Sequence, residues 1–190
     1  MAKPALEIRS DWSSHSLSAA VESEIGRHQK NPTEDYEDLG LRLGGSAELF
    51  DATKVTAGVG LRRNHSQRGE ILDPGTADGP AISWLSSVQL GIEHRLEPLD
   101  FRLNYTGSNV NYLSSATTDN DDLDRTDGRV ALRVGFEIDQ GTSLFVEPAY
   151  NWKTYDRAVD RAGVLQDNDG VEVLAGVTWD VSSVTFFEFA

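Results

Sequence analysis

Three alternating runs lie within residues 129–181, which read RVALRVGFEIDQGTSLFVEPAYNWKTYDRAVDRAGVLQDNDGVEVLAGVTWDV. Side chains of an extended strand point alternately to its two sides, so each run has one apolar face. The first run places five apolar side chains together: Val130, Leu132, Val134, Phe136 and Ile138. Long alternating strands, with short turns at one end and long loops at the other, are typical of membrane-spanning β-barrels.

The same alternation continues along the rest of the chain and predicts about ten strands. We expect long loops at residues 28–38, 64–81, 108–126 and 156–169, and short turns near 10–11, 51–52, 97–98, 139–142 and 182–183. The predicted fold is all-β, an antiparallel up-and-down barrel of the transmembrane type, with one domain over residues 1–190. The start MAKPALEIRSDW has no apolar leader, and the final FFEFA stops inside a predicted strand, so we expect this domain to be a fragment of a longer barrel.

Composition excludes several classes of protein. The net charge of −14 and the pI of about 4.6 argue against nucleic-acid binding, which needs a basic surface. Cysteine is absent, so neither disulfides nor thiolate sites are available. No run of 18 apolar residues exists to form a transmembrane helix, but barrel strands present only alternate residues to lipid.

A soluble β-sandwich or lipocalin-like binder is the alternative fold, because soluble antiparallel sheets also alternate. Soluble strands average about five or six residues, whereas these runs last for roughly ten. Aromatic residues near the predicted strand ends resemble the girdles of membrane barrels; they are Trp84, Tyr105, Tyr150, Trp152 and Trp179. Strand length therefore favours the membrane barrel.

Several phrases in the sequence resemble a known family. They are Phe145-Val146-Glu147-Pro148, Asn151, Tyr155-Asp156, Asp160-Arg161, Asp167 to Gly170, Leu174 to Val177, and upstream Ser10-Asp11-Trp12, His15 and Glu34-Asp35-Tyr36. On these residues the chain resembles the β-barrel porin 2 family, porin-like proteins of the outer membrane found in many alphaproteobacteria. The resemblance implies a barrel in the outer membrane of a Gram-negative envelope, ordinarily longer and with a signal peptide, and without a defined substrate.

Polar residues on the face opposite the apolar one are the candidate site. If a channel exists, they set its charge and width, as rings of ionised side chains do in pores. In a narrow barrel the same residues would instead pair with one another and fill the lumen. The candidate pore-lining residues are Arg42, Arg62, Glu93, Arg95, Arg102, Asn104, Arg133, Glu137, Glu147, Asn151, Lys153 and Glu172.

Other residue clusters give weaker signals. The acidic run Asp119, Asn120, Asp121, Asp122 and Asp124 has the oxygen ligands that Ca²⁺ prefers, as do Asp156, Asp160, Asp167 and Asp169, but neither set has EF-hand spacing. We interpret both sets as solvated loops. The scattered histidines (His15, His28, His65 and His94) have no zinc spacing and no pairing with a nucleophilic serine. We therefore predict no catalytic, cofactor or metal site, and a protein that is not an enzyme.

The leading functional prediction is a porin-like channel for passive passage or export of small hydrophilic or saccharide solutes. Its expected partners are outer-membrane lipid and those solutes; nothing in the sequence indicates an oligomeric state. The first alternative is a non-conducting structural or adhesion barrel that uses its long loops, and the second is the soluble binder described above.

Overall fold

The computed structural model describes residues 1–50, 52–66, 79–114, 119–160, 162–182 and 185–190, with backbone alone at 11, 180–182 and 186. Ten antiparallel strands form one sheet in chain order. They are β1 (Ala5–Asp11), β2 (His15–Gly26), β3 (Tyr36–Phe50), β4 (Thr53–His65), β5 (Ile82–Leu96), β6 (Leu99–Tyr112), β7 (Arg125–Asp139), β8 (Thr142–Tyr155), β9 (Asn168–Ser182) and β10 (Thr185–Phe189). A short 3₁₀ turn, Pro32–Glu34, precedes β3.

The predicted all-β, up-and-down topology is confirmed. Every strand pairs only with its neighbours in sequence, and within the described residues β1 and β10 do not pair with each other. The sheet is therefore open at both edges. No helix in the described part of the chain is long and apolar enough to cross a membrane.

The outward face of the sheet consists of aligned apolar side chains that nothing covers in the described structure. Ile92, Leu103 and Leu132 lie in one row across β5, β6 and β7, and each side chain is about 40–48% exposed. A soluble sandwich would bury such a row beneath a second sheet. The described residues form a single sheet, so no second sheet among them covers this face.

Several strands extend further than the sequence predicted. Residues 36–38, 64–65, 108–112 and 125–126 were predicted as loop but belong to β3, β4, β6 and β7. On the outward face of these extensions are polar residues such as Asn109, Asn111 and Thr126, so the apolar alternation stops before the hydrogen-bonded ladder does. Residues 67–78 and 115–118 of the predicted loops lie outside the described residues.

Two tryptophans mark the ends of the outward apolar band on neighbouring strands. Trp152 of β8 pairs in register with Asp169, whereas Thr142, ten residues earlier on β8, pairs with Trp179. Ten residues of strand rise about 33 Å, which becomes about 25 Å at the usual barrel tilt. The apolar band therefore has the height of a transmembrane barrel's lipid-facing belt.

Two neighbouring positions on β6 test the assignment of the faces. Leu103→Arg places a charge on the outward face and should lower the free energy of unfolding by about 2–4 kcal/mol in lipid vesicles. Asn104→Arg is the matched control, because Asn104 is exposed on the opposite face; it should cost under about 1 kcal/mol. Urea titration of vesicle-inserted protein measures both. Equal costs at the two positions would contradict the assignment.

Candidate functional site

The candidate pore-lining residues all lie on one face of the sheet, the inward face. Their strand register places them opposite one another with the apolar residues on the other side. One row runs directly across five strands: Glu48, Lys54, Glu93, Arg102 and Arg133. The first four members alternate in sign, so the row is a nearly neutral array of ionised groups.

Ion pairs between neighbouring strands cover much of the inward face. Arg42 lies 3.2 Å from Glu22, Arg102 lies 3.5 Å from Glu93, and Lys153 lies 3.5 Å from Asp127. Opposite charges on adjacent strands stabilise a sheet modestly. The sequence pattern anticipated pairing of this kind.

Other ion pairs pass over an intervening strand, which the sequence did not predict. Arg62 of β4 contacts Glu22 of β2. Arg95 on β5 lies 2.7 Å from Glu137 on β7. Arg129 of β7 contacts Glu172 of β9 at 3.4 Å, in addition to Glu147 of the adjacent β8 at 3.5 Å. Curvature brings the tips of inward side chains closer together than their backbones, so partners two strands apart can meet.

Gly40 makes room for one of these crossings. It lies on β3 between Glu22 and Arg62 in register. A Cβ at this glycine would lie 2.7 Å from Cγ of Glu22. The Glu22 side chain therefore rests flat over Gly40 on its way to Arg62.

Arg133 connects four strands. Its guanidinium stacks 3.5 Å above the ring of Phe145 on β8 and donates hydrogen bonds to Thr178 on β9 (3.2 Å) and Glu188 on β10 (2.8 Å). Phe145 is an aromatic residue on the inward face near its charged end, and only 5% of it is exposed. Gly176 flanks the ring, since a Cβ there would lie 2.8 Å from it. These contacts fix the inward geometry of β7 to β10.

The two candidate asparagines lie on the inward face outside the ion pairs. Asn104 pairs in register with Gly91 and Ala131, and its Oδ1 would lie 3.2 Å from a Cβ at Gly91. Asn151 pairs with Arg129 and Gly170. Neither takes part in the ion-pair network described above.

A cavity of about 680 Å³ opens on the inward face near the short turns. Its charged lining includes Lys54, Glu93, Arg95, Arg102, Arg133 and Glu137. Sequence reasoning missed Glu48, Lys54, Thr178 and Glu188 as members of this site, although Lys54 continues the alternation of β4 and was visible as an inward charge. The cavity brings together groups from β3 to β10.

The inward face becomes apolar at the other end, near the long loops. Val110 of β6 is buried there beside Tyr112 and Ala81, and Leu85 of β5 packs against the same cluster. Leu123, from the connection between β6 and β7, covers these side chains. This connection therefore folds over the inward face instead of extending away from the sheet.

The acidic run 119–124 is correspondingly only in part the solvated loop that the sequence predicted, because Asp119 and Asp121 are 55% exposed but their neighbours are not. Asn120, Asp122 and Asp124 are at least 95% buried. Asp124 accepts hydrogen bonds from the backbone N–H of Tyr112 (2.6 Å) and from Nδ2 of Asn111 (2.8 Å). Burial raises the pKa of Asp124, because its charged form loses solvation. Docking against β6 is the physical reason for the correction.

A second connection holds this docked segment. Arg157, which follows β8, lies 2.6 Å from Asp119 and 3.4 Å from Asp121. The backbone N–H of Asp121 and the Arg157 guanidinium lower the pKa of Asp119, since both favour the carboxylate. Gln166 also donates a hydrogen bond to the carbonyl of Asp122, at 3.2 Å.

Aspartate side chains accept backbone hydrogen bonds where strand pairing ends, at three of the long connections. Asp35, Asp124 and Asp167 each precede a strand, and their carboxylates accept a backbone N–H at 2.6–2.7 Å from the last residue of the preceding strand (Tyr112, Tyr155) or from His28, two residues after β2. They satisfy donors that the partner strand's backbone no longer reaches. Among the described residues, no group of three or more His, Asp or Glu side chains is arranged to hold a metal ion.

The histidines are dispersed through the sheet. His65 contacts Asp38 at 2.7 Å and stacks on Tyr36, and His94 lies 2.9 Å from Thr53. His15 stacks on Trp12 and lies 3.3 Å from the neighbouring Ser14 in an exposed turn. These are local contacts of individual strand ends.

One known protein family matches almost the whole chain. The family described as "Putative beta-barrel porin 2" matches residues 1–188. The chain belongs to this family. Membership confirms the β-barrel porin 2 resemblance expected from the sequence and supports a membrane barrel of the outer-membrane type.

Curated proteins and solved structures add little to the family assignment. A search of curated proteins finds no match. Among solved structures, the chain is similar to one titled "Copper transporter OprC", with 11% sequence identity and a TM-score of 0.47. That alignment covers 95% of this chain and 34% of the other, so the chain spans about a third of that structure's length.

Gly40 provides a test of the ion pair between Glu22 of β2 and Arg62 of β4, which passes over β3. In the wild-type sheet, a double-mutant cycle on Glu22 and Arg62 should give a coupling energy of about 0.2–1 kcal/mol. Gly40→Ala should reduce it to near zero by displacing Glu22. Gly58→Ala is the control, because the nearest atoms to its Cβ would lie at an ordinary 3.7 Å. If the coupling energy between Glu22 and Arg62 were unchanged in Gly40→Ala, the path of the Glu22 side chain over Gly40 would be refuted.

Proposed function

We propose that this chain forms part of the wall of an outer-membrane channel whose inward face borders a water-filled passage for small hydrophilic solutes, including saccharides. The single observation that carries the proposal is the charged row from Glu48 to Arg133, on the face opposite the exposed apolar band. Rings of ionised side chains at one level set the charge and width of a pore. The passage is passive, so the proposal includes no chemical step.

The charge pattern bears on which solutes would pass. Because Glu48, Lys54, Glu93 and Arg102 alternate in sign, a solute meets no uniform field of either sign at this level. Ionised groups with water around them also exchange hydrogen bonds readily with hydroxyl groups. Both properties favour polar solutes over apolar ones.

Lipid is the proposed partner of the outward face. Side chains such as Leu103 and Ile92 are exposed in the isolated sheet, and hydrocarbon would cover them without the cost of hydrating apolar surface. The stack of Tyr105, Tyr150 and Trp152 lies at the long-loop end of this face, where interfacial aromatic residues are favoured.

A non-conducting barrel that meets partners through its loops is the second candidate. Two contacts favour this candidate: the packing of Leu123 on the inward face and the ion pair of Arg157 with Asp119. Together they hold segment 119–124 over the inward face, which narrows the opening at the long-loop end. The two candidates differ in whether the inserted protein carries current.

Planar-bilayer recording separates the two candidates. The channel proposal predicts stepwise conductance from inserted protein, and predicts that Lys54→Glu shifts the reversal potential in a salt gradient toward cation preference. Lys30→Glu is the matched control, since Lys30 is an exposed residue between β2 and β3, and should leave the reversal potential unchanged. Folded, inserted protein without conductance steps would reject the channel and support the non-conducting barrel.

A further inference from the structure

Arg102 differs from the other arginines of the charged inward network. Arg42, Arg62, Arg95, Arg129 and Arg133 each direct a terminal guanidinium nitrogen to a carboxylate. Arg102 reaches Glu93 through Nε alone, at 3.5 Å, and its side chain is 45% exposed. Among the described residues, its two terminal nitrogens donate no hydrogen bond to another side chain. Its planar guanidinium therefore has free donors.

One neighbour of Arg102, the positively charged Arg133, raises its attraction for a negative group. Arg133 lies directly opposite on β7, and like charges at opposed positions repel. Arg133 is already engaged by Glu188 and Thr178 and by the ring of Phe145. Arg102 lacks such contacts, and the carboxylate that forms an ion pair with it is that of Glu93.

Both guanidinium groups line the 680 Å³ cavity, which is large enough for a monosaccharide or a similar solute. Glu48 and Asp100 line it as well. Their carboxylates can accept hydrogen bonds from solute hydroxyls. The cavity thus combines the planar guanidinium of Arg102 with carboxylates that can accept hydrogen bonds from hydroxyl groups.

We propose that this cavity is a binding site for a small hydroxylated solute carrying a carboxylate group, and that Arg102 binds the carboxylate. The site rests on the proposed channel function and gives it a solute class. A guanidinium matches a carboxylate with two parallel hydrogen bonds. A phosphate monoester would carry more negative charge toward Glu93 and Asp100, so those residues favour the singly charged group.

The test uses four probes that share one sugar ring: glucuronate, glucose, glucosamine and glucose 6-phosphate. Each is added to wild-type protein in planar bilayers, and interruptions of the ionic current are titrated. Glucuronate should interrupt the current at lower concentration than the other three. Tighter binding of glucosamine or of glucose 6-phosphate would overturn the carboxylate assignment.

Variants then assign the binding to Arg102. Arg102→Gln should weaken glucuronate binding at least about tenfold, the size of effect expected for losing a charge-assisted pair. Arg102→Lys keeps the charge but not the fork and should be intermediate. Lys30→Gln removes the same charge elsewhere and should bind as the wild type does. Unchanged binding in Arg102→Gln, with normal β-sheet circular dichroism, would refute the site.

The experiments can reject the binding site and the channel function independently. Conductance without any effect of glucuronate would reject the site and leave the channel standing. If the inserted protein carries no current, calorimetric titration of the same four sugars into nanodisc-embedded protein still measures the site. Heat from glucuronate that Arg102→Gln abolishes would support it, and no heat from any probe would reject it.

Discussion

The structure depends on one constraint: backbone N–H and C=O groups that lie in hydrocarbon must be hydrogen-bonded within the protein. Each unsatisfied group there costs several kcal/mol, which leaves helices and paired strands as the only solutions. This chain uses strands of 12–15 residues for β2 to β9, each paired on both sides. Where a ladder ends at a long connection, Asp35, Asp124 and Asp167 take over as acceptors. The open edges of β1 and β10 are the places where the same requirement still has to be met by closure.

Because the outward face is apolar along most of its height, most ionised groups lie on the other face and must neutralise one another there. Pairs between adjacent strands do part of this, and pairs such as Arg95 with Glu137 and Arg133 with Glu188 do the rest across intervening strands. Arg102 is the member of this network with a partner at Nε only. In the proposed channel, a compensated network of this kind would hold the sheet together and leave local charges available to a passing solute. On this proposal, fold stability and solute contact depend on the same residues.

Much of this architecture could be predicted from the sequence, because a period of two is a local property. The alternation at Val130, Leu132 and Val134 fixes which side chains share a face before any pairing is known. The strand ends near Asn109 and Asn111 were missed, since the ladder continues after the outward face becomes polar. The contact between Arg133 and Glu188 depends on sheet curvature, which periodicity does not encode. Leu85 and Val110 did carry a signal for the docked segment: they are apolar residues at inward positions.

Accessibility along β6 tests the central claim most directly. A nitroxide spin label is placed in turn at positions 101 to 105 of the vesicle-inserted protein, and its collisions with oxygen and with a water-soluble nickel complex are measured. The faces described here predict high oxygen access at Phe101, Leu103 and Tyr105, and high nickel access at Arg102 and Asn104. The opposite alternation, or uniform nickel access at all five positions, would contradict a sheet with one face in lipid and the other in water.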